Sequence, residues 1–158
     1  MMKIVRRQKE GIFFEFSHQE KNLLLAILKL FPLVPKTYHR LSKNGEIPGH
    51  DENQRLLEES LDAQQHENRQ LLAALLDDAG RFKPCAAGFR FSLARSEIEW
   101  LLQVLNDVRL GSWIALGSPD LEREDQLAVT IQTLPHLQRM ELAGRLEMFF
   151  LNAISGAA

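Results

Sequence analysis

The chain is poor in the residues that would mark it as secreted, membrane-spanning or catalytic. It has one cysteine, Cys85, so no intramolecular disulfide can form, and such sparing use fits a reducing compartment. Its longest apolar runs, such as residues 23–28, are far too short to cross a bilayer. The first residues, MMKIVRRQK, are basic, but neither an apolar run nor a small-residue cleavage pattern follows, which argues against a secretory signal. A formal charge of −2 and a pI near 6.2 exert no net pull towards nucleic acid or anionic lipid. No phosphate-binding loop and no adjacent nucleophile and base stand out. The five histidines, His18, His39, His50, His66 and His136, are scattered, and no pair has zinc-ligand spacing. The expectation is a cytoplasmic protein without metal, cofactor or catalytic residues.

What is present is the composition of a soluble globular domain, 45% hydrophobic and 25% charged. Residues 1–158 suffice for one self-contained core. The alternation over residues 2–16 predicts a hairpin turning at Gln8-Lys9-Glu10-Gly11, with Gly11 in a left-handed position. Ile12, Phe14 and Phe16 would face the core. Arg6, Arg7 and Lys9 at its edge read as protection of an exposed strand, with phosphate binding as the minority reading. Ser17 and Glu20 form a capping box opening a helix over about 18–31 that Pro32 and Pro35 end. Residues 36–50, with turn pairs Asn44-Gly45 and Pro48-Gly49, read as the most mobile loop. Further helices are predicted over about 51–79, 95–116, 119–133 and 135–154, the first capped by Asp51 and stopped by Gly80. Residues 82–87 read as a linker, and 88–93 as a third strand with Phe89, Phe91 and Leu93 on one face. The fold class is therefore α+β, mainly α: four or five helices packed with a small antiparallel sheet of two or three short strands.

An internal similarity joins two parts of this plan. Phe14-Glu-Phe16-Ser-His-Gln-Glu20, with Leu23-Leu24 and Ile27-Leu28 beyond it, aligns without gaps onto Phe91-Ser-Leu93-Ala-Arg-Ser-Glu97. There Trp100-Leu101 and Val104-Leu105 follow at the same spacing. Each copy is a strand feeding a capped apolar helix, so the two should share a sheet and pack their helices together. The second copy has Ala94 where the first has Ser17, which weakens its cap or shifts it to Ser92. The helix it opens carries both tryptophans and is apolar around most of its circumference, as a buried helix is. Gly111 inside it should mark a close neighbour, because glycine there costs roughly 1 kcal/mol against alanine.

Two polar groups are candidate sites. Asn106, Asp107 and Arg109 interrupt the central helix, with Glu20 and Glu97 as possible companions. They read first as polar fastenings of the fold, and second as an anion site at Arg109. On the 51–79 helix the apolar side given by Leu57, Leu61, Leu72, Leu75 and Ala79 is broken by Gln64, Gln65 and Asn68. That break suggests a helix centre lying on the surface or against a partner. Asp62 lies one turn from both Glu58 and His66, a metal-compatible spacing that exposed helices also show by chance. Cys85, flanked by Pro84 and Ala86, reads as a bystander thiol. Trp100 and Trp113 read as core, with Trp113 a possible anchor for a partner.

The hairpin followed by S-x-x-E and a leucine-rich helix, together with Trp100-Leu101-x-x-x-Leu105-Asn106-Asp107-x-Arg109-Leu110, resembles the DUF2017 family of bacterial proteins. The likeness extends over nearly the whole chain, departing at Gly111-Ser-Trp113 and after Asp120. It implies a fold and a bacterial origin, and no activity. The reading that results is a non-enzymatic interaction or regulatory module, with a protein partner or self-association through Gln64, Gln65 and Asn68 or the 36–50 loop. A transcription-associated DNA binder is the alternative, although Arg and Lys are dispersed among acids. A small-anion binder or enzyme at Arg109 is the third.

Overall fold

The computed structural model describes residues 2–35, 50–119 and 129–156. The chain forms strand β1 (Lys3–Arg7), strand β2 (Ile12–Phe16), helix α1 (His18–Leu28) and helix α2 (His50–Asp77). A 3-10 turn (Ala79–Arg81) then leads to strand β3 (Lys83–Cys85), strand β4 (Gly88–Leu93), helix α3 (Arg95–Ala115) and helix α4 (Leu134–Ser155). The sheet has the order β1-β2-β4-β3 and all neighbours are antiparallel.

The sheet has four strands, where two or three were expected. The additional strand, β3, lies in the stretch that reads as a linker. It is three residues long, contains Pro84 and shows no alternation, so it leaves no periodic signal. Proline is tolerated there because β3 is an edge strand and needs only one ladder. The opposite edge, β1, exposes Lys3, Arg6 and Arg7 and carries a bulge between Ile4 and Arg6; both devices discourage pairing with another chain.

One face of the sheet is the floor of the core. Ile12, Phe14 and Phe16 of β2 and Phe91 and Leu93 of β4 are buried. Against them pack Leu24, Ile27 and Leu28 of α1, Ile98, Leu101, Val104, Leu105 and Val108 of α3, and Ala143, Leu146, Phe150 and Ala153 of α4. Phe14 stacks on Phe91 at 5.5 Å and meets Phe150 edge-on at 5.3 Å, arrangements that add to plain area burial. The other face carries polar pairs such as Glu15 with Arg90 and Lys3.

The repeat seen in the sequence becomes a local two-fold relation. Strands β2 and β4 pair directly, with Phe14 opposite Phe91, Ile12 opposite Leu93 and Phe16 opposite Phe89. The same spacing in sequence separates Phe14 from Phe91, Gly11 from Gly88 and Glu20 from Glu97. A Cβ on Gly11 would lie 2.9 Å from the Leu93 carbonyl oxygen, and one on Gly88 would lie 2.5 Å from the equivalent oxygen of Phe16. Each half is thus a hairpin plus a helix, and each glycine admits the strand end of the other half. Close approach is what requires glycine at position 11, since only Gly88, Gly117 and Gly156 of the described glycines have positive φ.

The capping boxes follow the same symmetry. Ser17 Oγ accepts from the Glu20 N–H at 3.1 Å and Glu20 accepts from the Ser17 N–H at 2.8 Å. In α3 the N-cap is Ala94, with no shift to Ser92, and only the return bond from its N–H to Glu97 survives, at 2.9 Å.

Element ends differ locally from expectation. Helix α1 stops at Leu28, with Leu30 and Phe31 bonded in tighter turns ahead of Pro32. Helix α2 starts at His50, placing Asp51 in its first turn instead of at its cap, and it ends at Asp77 before Gly80. Helix α4 starts at Leu134 with Pro135 in its first turn. Most of the helix predicted over 119–133 lies outside the described residues. Of its tail, Val129 and Thr130 have no regular structure and 131–133 form a turn, closed by reciprocal bonds between Thr130 and Thr133. The loop read over 36–50 also lies outside them, apart from the helical backbone at His50.

Candidate functional site

The Asn106–Arg109 group divides between two sides of α3, as helical geometry requires of residues separated by about a third of a turn. Asp107 turns towards the chain that leaves α1. Its Oδ1 accepts from the Leu33 N–H at 2.6 Å and faces the Val34 N–H at 3.4 Å. One turn further along α3, Gly111 admits Leu33 itself: a Cβ at 111 would lie 2.6 Å from the Leu33 Cβ. Asp107 and Gly111 together seat residues 31–34 against α3, so Asp107 serves as a fastening.

Asn106 and Arg109 face α4 and are exposed. Arg109 Nη2 donates to Asn106 Oδ1 at 3.1 Å, and its Nε lies 3.2 Å from Glu147 Oε1. The latter pair gains charge attraction, but no N–H points at that buried oxygen. Burial pushes the Glu147 carboxyl above its ordinary value and Arg109 offsets part of the rise. The groove around them, about 380 Å³, is lined by Leu102, Gly144, Met148 and Leu151 as well. Arg109 is therefore already matched by an internal anion. Glu20 and Glu97 take no part: both serve caps, and Glu97 also binds Arg81 at 2.7 Å.

The second polar group lies where α2 crosses α3. The apolar stripe of α2 continues from Leu57 and Leu61 through Gln65 and Asn68 to Leu72 and Leu75. Over residues 51–67 no side chain is buried; burial begins at Asn68 and continues with Leu72 and Leu75. Asn68 is 4% exposed, and a buried amide needs partners. It finds them in a three-residue amide bridge. Asn68 Nδ2 donates to Gln103 Oε1 at 3.2 Å, Gln64 Nε2 donates to the same oxygen at 3.3 Å, and Gln64 Nε2 also reaches Asn68 Oδ1 at 3.2 Å. The polar break in α2 is thus partly answered inside the molecule by Gln103, which sequence reasoning missed. A glutamine one turn before Asn106 and Asp107, among apolar neighbours, was the available signal. Gln65 remains half-buried, and Gln64 is exposed beyond its bridge.

The bridge divides an open cleft between α2 and α3. On one side a hollow of about 200 Å³ is lined by Phe31, Val34, Leu61, Glu58, Asp62 and Asp107. On the other a hollow of about 540 Å³ is lined by Leu71, Leu75, Trp100, Glu67, Glu97 and Glu99. Gln64, Asn68 and Gln103 line both.

No family model, no curated protein and no solved structure matches this chain.

Among the described residues no three His, Cys, Asp or Glu side chains gather as a metal site would require. Glu58, Asp62 and His66 are all exposed along α2. Cys85, at the end of β3, is half-buried, a strand position in place of the expected linker. Trp113 is half-buried and its Nε1–H donates to the Pro119 carbonyl at 2.9 Å, tying down the turn after α3. No described helix is long and apolar enough to cross a membrane.

Proposed function

We propose that this chain is a non-enzymatic interaction module of the bacterial cytoplasm, similar in kind to DUF2017 proteins, that binds a protein partner in the α2–α3 cleft. One observation carries the reading. The N-terminal half of α2 bears Leu56, Leu57 and Leu61, of which Leu56 is exposed and Leu57 and Leu61 are only half-buried. An isolated polar helix has little stability of its own, and exposed apolar side chains add none. Such a half-helix gains its full burial only when something lies against it. The cleft beside it offers apolar floors at both ends, polar amides between them and no nucleophile–base pair.

The alternatives have less support. A DNA-reading helix needs clustered cations, whereas α2, the most exposed helix, is rich in carboxylates. An anion site at Arg109 would compete with Glu147.

The test is site-specific photo-crosslinking from Gln65, with Glu141, exposed on α4 and outside the cleft, as control. Crosslinks to a protein from Gln65 and none from Glu141 are expected. Absence of crosslinks from Gln65, in a protein that stays monomeric by light scattering, would refute the reading.

A further inference from the structure

The α2–α3 cleft has a charge character that specifies its occupant. Residues 51–67 carry Asp51, Glu52, Glu58, Glu59, Asp62 and Glu67 against a single arginine, Arg55. All seven are exposed. The whole chain is only −2, so the remainder is net positive and the negative charge is concentrated on this half-helix. Along the cleft, acids stand on both lips: Glu58 and Glu67 on α2 and Glu99 on α3, all exposed. Glu99 is only loosely engaged by Arg95, at 3.5 Å.

Between the lips the floor is apolar at each end. Leu61 with Phe31 and Val34 forms one end, and Leu71 with Leu75 and Trp100 forms the other. The amide bridge lies between. From Leu61 to Leu71 along α2 is about 15 Å at the helical rise per residue, which matches three turns of a second helix. A helix laid in a groove presents its anchors at i, i+3, i+4 and i+7, and three turns bring one face back into register.

Resting on the reading that this cleft is an interaction site, we infer that its occupant is an amphipathic helix of a partner protein. That helix carries aliphatic anchors at both ends of one face, a polar residue over the amide bridge and lysine or arginine along both flanks. A second copy of this chain fits less well, because two such half-helices would set like charges against each other. The lysine stems would cover Leu71, which lines the cleft and is exposed, while their ammonium groups face the carboxylates. Charge on the rim sets association rate and partner choice, and the apolar ends set the register.

The experiment uses the full chain and three synthetic helical peptides with identical leucine positions. Their flanks carry lysine, serine or glutamate, and binding is followed by anisotropy at low and high salt. The lysine peptide should bind at least about tenfold more tightly than the serine peptide and weaken as salt screens the charges. The glutamate peptide should not bind. Charge reversal on the lips, E58K/E67K/E99K, should transfer the preference to the glutamate peptide. Reversal of an acid outside the cleft, E141K, should change nothing. All four positions are exposed, and circular dichroism confirms that the variants fold.

Equal binding of lysine and serine peptides, untouched by the lip reversal, would overturn the basic partner and leave the cleft as an interaction site. Failure of all three peptides while Gln65 still crosslinks a protein would overturn the helical basic occupant alone. Failure of both would remove the interaction reading with it. Salt-sensitive self-association in sedimentation, relieved by E58K/E67K/E99K, would assign the cleft to a second copy and overturn the inference.

Discussion

Replacing Gly111 by alanine opposes two effects whose magnitudes can be separated. Gly111 lies inside α3, where alanine is favoured by about 1 kcal/mol. If nothing pressed on this position, G111A would stabilise the protein by that amount. The new methyl would instead sit 2.6 Å from the Leu33 Cβ and 2.8 Å from the Leu33 carbonyl carbon. Neither atom is the free end of a flexible side chain. Overpacking of this kind costs about 1–3 kcal/mol. Leu33 also cannot withdraw freely, because its N–H donates to Asp107 at 2.6 Å, and a hydrogen bond to a charged group contributes about 1.5–3 kcal/mol. With the propensity gain set against these costs, G111A should destabilise the protein by about 1.5–5 kcal/mol, or roughly 3–20 °C in Tm for a domain of this size. Urea denaturation followed at 222 nm measures it, with an unchanged m value showing that both variants unfold as one unit. G111A and D107A release the same segment, so their double mutant should cost less than the sum of the two. Gly144 in α4 is the control: a Cβ there meets only Arg109 Cδ, at 3.7 Å, and G144A should gain up to about 1 kcal/mol. A stabilised G111A would refute the account of how residues 31–34 are seated.

Three further predictions rest on the caps and on one carboxylate. S17A removes the acceptor for the Glu20 N–H and should cost about 1 kcal/mol. A94S restores to α3 the half of the box it lacks, at a backbone conformation nearly that of Ser17 (φ −67, ψ 156 against φ −66, ψ 166), and should gain about 0.5–1.5 kcal/mol; thermal denaturation of both variants tests the pair, and a neutral A94S would deny the equivalence of the two halves. Glu147 supplies the pH test. Its folded pKa is raised, so its contribution is complete below the ordinary carboxylate range and is lost as pH rises through the folded value. E147Q should therefore remove a decline in urea midpoint on the alkaline side of the ordinary carboxylate range. The acid-side decline should persist, since the Arg90 guanidinium holds the Glu15 carboxyl below its usual range; Glu20 is held there too, by its Ser17 bonds acting against burial. Parallel wild-type and E147Q profiles would refute the assignment.

Much of the fold was legible because it is local. Alternation over 12–16 and 88–93, the S-x-x-E box and the apolar periodicity of 95–116 each depend on residues close in sequence, and each gave its element within a few positions. The repeat at Phe14 and Phe91 also foretold that the two strands share a sheet. Strand β3 was hidden because an edge strand containing proline has no alternation to read. The reason for Gly11 was hidden for a related cause: it is a contact with Leu93, far away in sequence, and glycine offers no sign of what approaches it. The candidate clusters divided in the same manner. The fastening by Asp107 follows the reading of buried polar groups, but its partners are backbone N–H groups, which carry no sequence identity. For Gln64 and Asn68 the pattern showed that the helix face was interrupted, whereas the identity of the answering side chain, Gln103, depends on a crossing between helices.

The pairing of Phe14 with Phe91 and the exchange of glycine contacts mean that each half offers the other the surface it receives. Such a surface is self-complementary, as in a symmetric dimer, and Ala143, Leu146, Phe150 and Ala153 of α4 cover the paired halves. Between the halves lies α2, which has no counterpart in the repeat. Leu72 and Leu75 at its C-terminal end join the core, whereas no side chain of residues 51–67 is buried, so the N-terminal part of α2 is free to change without cost to the core. In evolutionary terms the N-terminal part of α2 is a segment on which selection can act independently of the core, and it carries one of the two acidic lips of the cleft.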